Sequence, residues 1–68
     1  MDRLAGMRAF VGTVEHRSFA EAARALRLSR SAVSKHVGDL ERELGVQLLS
    51  RTTRRVTPTE LGQIYFER

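Results

Sequence analysis

The sequence has no cysteine in its 68 residues, so neither a disulfide nor a thiolate metal site can staple the chain. Nothing in it marks an oxidising compartment, and a reducing cytoplasm is the default. No apolar run is long enough for a membrane span or a signal-peptide core. There is no Asn-Gly or Asp-Gly turn signal, no internal repeat and no low-complexity linker. A chain this short makes one domain at most, with a small core and marginal stability of its own. A closed catalytic pocket is not expected at this size. No nucleophile–base pair or glycine-rich phosphate loop is present either, so an enzyme is not expected, and no cofactor.

The chain does carry unevenly placed charge. The net is +4, from twelve basic and eight acidic residues. Residues 1–23 sum to zero, residues 24–55 to +5 and residues 56–68 to −1. The excess comes from Arg24, Arg27, Arg30, Lys35, Arg42, Arg51, Arg54 and Arg55. A localised basic patch is the footprint of a polyanion partner, although a solvated arginine-rich surface gives the same count.

Apolar spacing predicts the elements. Leu4, Met7, Phe10, Val11 and Val14 recur at helical intervals, giving a first helix over 3–16. Ser18 and Glu21 make a capping-box pattern before a second helix over 19–26, striped by Phe19, Ala22, Ala23 and Leu26. Ser29 suits the N-cap of a third helix that ends at Leu44, with Gly45 in the left-handed position and Val46 folding back. A short helix, a tight turn and an amphipathic helix make a helix-turn-helix candidate. "QLLSRTTRRVT" then reads as a small hairpin, with strands near 48–50 and 55–57. A last helix follows, with Thr57 as cap, Pro58 at the first helical position and Glu60 completing the box. It shows no stop signal before Arg68.

The third helix has two unlike faces. Val37, Leu40 and Leu44 fall within about 40° of Val33 and form a core seam. Ser31, Lys35, Gly38 and Arg42 point the other way, with Ser34 at their edge. Serine and glycine are poor interior helix residues, glycine by about 1 kcal/mol relative to alanine. Small residues do let a helix sit close to another surface, and in a helix-turn-helix that surface is the DNA major groove. Arg30 and Lys35 can donate to guanine O6 and N7, and the serine hydroxyls can meet bases or phosphates. The helix N-termini offer N–H groups to phosphates. Arg51, Arg54 and Arg55 on the hairpin can follow the backbone or enter a narrow minor groove.

Other readings weigh less. His16 and His36 have no partner spacing for a metal, and solvent-facing histidines account for them. Asp39, Glu41 and Glu43 sit among arginines, and pairs such as Asp39 with Arg42 explain them. A winged-helix module for protein assembly is the rival function. It would call for a buried aromatic anchor, yet the only tyrosine, Tyr65, is in the last helix.

The run "MRAFVGTVEHRSFAEAARALRLSRSAVSKHVGDLERELGVQLLSRTTRRVTPTELG" resembles the N-terminal winged helix-turn-helix domain of the LysR-type transcriptional regulators. The resemblance implies a mostly α fold: a three-helix core, a small β-hairpin wing and the start of a linker helix. It divides the chain into a DNA-binding domain over 1–58 and the start of the linker and dimerisation helix over 59–68. It implies sequence-specific binding of double-stranded DNA by a cytoplasmic, nucleoid-associated bacterial regulator, with the recognition helix over 30–44. Arg30, Ser31, Ser34 and Lys35 match the base-reading positions, and Arg54 matches the wing arginine of the minor groove. Ser18, Phe19, Thr52 and Thr53 fall where phosphates are contacted, and Arg42 on the third helix is a further phosphate-contact candidate. Leu61, Ile64 and Tyr65 lie on the helix through which members dimerise. Such chains are several times longer, so a small-molecule effector would belong to a C-terminal domain absent here. The sequence departs from the family pattern at Arg30, where glutamine is common, and at Gly38, where a basic residue is frequent. It departs again at Leu49, Pro58 and Leu61.

Overall fold

The computed structural model describes residues 3–51 and 56–67. Helix α1 spans Arg3–His16, α2 Phe19–Leu26 and α3 Arg30–Leu44. Strands β1, Leu49–Arg51, and β2, Val56–Pro58, pair antiparallel, with Leu49 opposite Pro58, Ser50 opposite Thr57 and Arg51 opposite Val56. Helix α4, Glu60–Phe66, follows. The three predicted core helices match these limits, and the strands fall one residue later than the sequence suggested.

The buried core consists of Ala9, Phe10, Phe19, Ala22, Ala23, Val33, Val37, Leu40, Leu48 and Leu49. Helix α1 is rotated from the face its large residues predict. Its buried side is Gly6, Ala9, Phe10 and Thr13, while Leu4 and Val11 are exposed. The reason is steric: α1 packs against both α2 and α3, and small residues permit that approach. Thr13 is buried without an orphan group, because its hydroxyl donates to the Ala9 carbonyl at 2.7 Å. Leu44, expected in the seam, is 37% exposed. It lies in the last turn of α3, beyond the core that Leu40 closes.

The caps explain the turns. Ser18 Oγ accepts from the Glu21 N–H at 3.2 Å, and Ser29 Oγ accepts from the Ala32 N–H at 3.1 Å. Between α2 and α3, Arg27 takes the left-handed conformation at φ 59°, and the Leu28 N–H donates to the Ala23 carbonyl at 2.9 Å. This is a Schellman-type stop formed without glycine. At the end of α3 the expected glycine stop is present: Gly45 has φ 73°, and its N–H donates to the Glu41 carbonyl at 2.8 Å. Val46 folds back against the core.

The start of α4 differs from the sequence reading. Thr57 and Pro58 belong to β2, and Thr59 is the N-cap. The Thr59 hydroxyl does two jobs: it accepts from the Gly62 N–H at 3.0 Å and donates to the Gln47 carbonyl at 2.6 Å. Thr57 cannot do this, because it is paired opposite Ser50. Gly62 lies against the backbone of Leu48, where an added Cβ would stand 1.9 Å from the Leu48 carbonyl oxygen. Tyr65 and Phe66 close the far side, with ring centroids 5.8 and 6.5 Å from that of Phe10.

Candidate nucleic-acid interface

The outward side of α3 is built as its pattern suggested. Arg30, Ser31, Lys35 and Arg42 are exposed, and Ser34 and Gly38 are half-buried. A Cβ on Gly38 would meet nothing within 4 Å. Packing inside the chain therefore does not require glycine there, and the residue simply keeps the helix surface low. The hydroxyls of Ser29 and Ser31 lie 3.3 Å apart at the start of the helix.

Two carboxylates flank this side, and they do different things. Asp39 is only 15% exposed. It takes a hydrogen bond from Lys35 Nζ at 3.0 Å on one oxygen, and Arg42 contacts the other. Helical spacing anticipated the i,i+3 pair with Arg42, and the pair with Lys35 is its i,i+4 counterpart. The hydrogen bond from Lys35, with the positive charges of Lys35 and Arg42, holds the Asp39 carboxyl below the usual carboxylate range. Lys35 is thus held near the face by an exposed ion pair, a kind of contact that is weak and screened by salt.

Glu41 faces the hairpin and is 13% exposed. Its Oε2 accepts from the Leu48 and Leu49 N–H groups at 2.8 and 3.0 Å, and its Oε1 accepts from Arg51 at 3.2 Å. Hydrogen bonds to a charged group contribute about 1.5–3 kcal/mol each, roughly twice a neutral one. The Arg51 guanidinium also lies 5.5 Å from the centre of the Phe19 ring, a cation–π distance. The sequence reading treated Glu41 as a surface ion-pair residue and Arg51 as an outward wing cation. Glu41 is instead turned into the domain, and Arg51, still exposed, bends back to it. No local spacing could have revealed this, since Glu41 reaches across the Gly45 turn to a strand seven and more residues away.

Other expected contacts are placed as follows. Ser18 is half-buried at the start of α2, its Oγ engaged with the Glu21 N–H. The Phe19 side chain is in the core, so only its backbone can face a phosphate. Thr52, Thr53, Arg54 and Arg55 lie outside the described residues. On α4, Leu61 and Ile64 are 53% and 48% exposed, whereas Tyr65 is half-buried on Phe10. Among the described residues, no group of three or more His, Asp or Glu could hold a metal ion, and no helix is long and apolar enough to cross a membrane.

A helix-turn-helix followed by a two-stranded wing, with a low polar face on its second helix, defines a winged helix-turn-helix domain of the DNA-binding class. The chain belongs to the lysR family of bacterial regulatory helix-turn-helix proteins, whose family model matches residues 4–63. That is a family of transcriptional regulators, not of enzymes. Over 58 residues the chain is 53% identical to the HTH-type transcriptional regulator PtxR of Pseudomonas aeruginosa, covering 85% of this chain and 19% of that protein. It is 48% identical to the HTH-type transcriptional activator AaeR of Escherichia coli, covering 98% of this chain and 22% of that one. The chain therefore spans about a fifth of the length of these relatives. Among solved structures it is similar to the BenM DNA-binding domain in complex with benA site 1 DNA. That likeness has a TM-score of 0.89 and 37% identity, over 98% of this chain and 74% of that one. Full-length OxyR from Pseudomonas aeruginosa matches with a TM-score of 0.91 and 30% identity, over 98% of this chain and 22% of that one.

Proposed function

We propose that this chain is the sequence-reading domain of a LysR-type regulator and binds double-stranded DNA through α3. Arg30, Ser31, Ser34 and Lys35 meet base edges in the major groove. Ser18, the Phe19 backbone, Arg42, Thr52 and Thr53 meet phosphates, and Arg54 and Arg55 lie on or in the minor groove. The observation that carries the reading is the outward side of α3, where small and cationic side chains surround an uncrowded glycine. The similarity to a domain solved on DNA supports it.

Residues 1–58 form the DNA-binding unit in this reading, and α4 begins the linker helix. Leu61 and Ile64 form an isologous contact with a second copy, with Tyr65 contributing less because it is engaged on Phe10. A small-molecule effector belongs to a further part of the longer protein, which acts in the cytoplasm at the nucleoid. Selection of bound duplexes from a random pool tests the reading. The expected product is a pair of symmetry-related half-sites. No enrichment at low salt, even for a tethered dimer, would overturn it.

A further inference from the structure

We infer that Glu41 and Arg51 are positioning residues that set the wing against the recognition helix, and that Arg51 is not a DNA contact. The inference rests on the reading of the wing as a DNA-touching element.

Glu41 is a residue of α3, the helix whose outward side carries Lys35 and Arg42. Its carboxylate holds the backbone N–H groups of Leu48 and Leu49, where the chain enters β1. The other oxygen holds Arg51, the last residue of β1 and the last before the wing tip. Arg51 in turn lies over Phe19, the first residue of α2. One carboxylate thus ties both ends of β1 to α3, and Arg51 carries the tie on to α2. The hairpin has only three residues per strand, too few to hold an orientation by pairing alone. The contact with Glu41 at 3.2 Å and the approach of its Cζ to within 5.5 Å of the Phe19 ring centre hold the Arg51 guanidinium back toward α3 and α2. Its work is to aim the residues that follow it.

The test uses the selected duplex, with its flanking minor groove either A·T-rich or replaced by G·C. Four variants of the chain are compared: R54A, E41Q, R51Q and the E41Q R54A double variant. Thermal melts confirm that each is folded. E41Q keeps a carbonyl oxygen for the Leu48 and Leu49 N–H groups but loses the charge that holds Arg51. R54A alone should weaken binding and abolish the flank preference. E41Q and R51Q should each weaken binding about tenfold, the loss typical of one placed DNA contact. Both should lose the flank preference while keeping the central base preference. The double variant should bind no more weakly than R54A.

Salt dependence separates aiming from contact. If Arg51 only aims the wing, R51Q lowers the slope of log K against log salt no further than R54A does; a phosphate contact of its own would lower it by about 1 more. A neutral E41Q beside a harmful R54A would overturn the inference alone, as would additive losses or a slope in R51Q lower than that of R54A. A neutral R54A would overturn the reading of the wing itself. Should E41Q fail to fold, R51Q carries the same comparison from the more exposed end of the pair.

Discussion

At the residue scale, Lys35 and Asp39 have opposite signs of consequence. Lys35→Ala removes a donor that can span guanine O6 and N7. It should relax base preference and cost about 1–3 kcal/mol at the selected site, read by competition between the selected duplex and single-base variants. Unchanged preference would place base reading elsewhere. Asp39 acts on stability instead. Its carboxyl is held low by Lys35 and then Arg42, so its folded-state value lies below the unfolded one. The contribution is fully present above the unfolded value of about 4. It is lost as pH falls through the folded value. Denaturant melts across the acid range should show a shallower acid limb for Asp39→Asn than for the parent; equal limbs would exclude Asp39 from the linkage. Gly62 has a steric consequence, since a methyl group there collides with the Leu48 carbonyl. Gly62→Ala should cost about 1–3 kcal/mol through forced displacement of α4, measured as a lower denaturation midpoint. A neutral Gly62→Ala would mean that α4 does not press on Leu48 in solution.

At the element scale, the helices could be read from the sequence because their signals are local. Ser18, Ser29 and Gly45 mark ends by chemistry that acts within one turn. The rotation of α1 was not legible, because its buried face is defined by Gly6, Ala9 and Thr13, which carry little hydrophobic signal. The start of α4 was misplaced for a related reason. Two threonines flank Pro58, and only the tertiary partner Gln47 decides which one caps. Glu41 was invisible as a wing tie because its partners are backbone N–H groups on another element. The outward side of α3 was fully legible, since it needed only helical spacing. Helix α4 supports a prediction of its own. Exposed Leu61 and Ile64 should draw two copies together, so sedimentation should show concentration-dependent association that Leu61→Glu with Ile64→Glu abolishes. A monomer at every concentration would count against the isologous contact.

At the scale of the whole molecule, the charge asymmetry sets the binding thermodynamics. On the proposed reading the cations of residues 24–55 other than Arg51 neutralise phosphates, so affinity should fall steeply and linearly with log salt, by about 0.9 in slope for each phosphate neutralised. Titration of a fluorescent duplex over a salt series measures it; a flat response would point away from a polyanion. In a dimer, the half-sites should lie about one helical turn or a multiple apart. The path from α4 to α3 is short. The Leu48 N–H is held by Glu41 of α3, and its carbonyl accepts from the Thr59 N–H at 2.9 Å with Gly62 directly beneath. A single residue, Leu48, thus anchors two helices through its two backbone groups. Between α4 and α3 the contacts run from Thr59 to the Leu48 backbone and on to the Glu41 carboxylate. The angle at which α4 leaves and the pitch at which α3 is presented share one anchor, the backbone of Leu48.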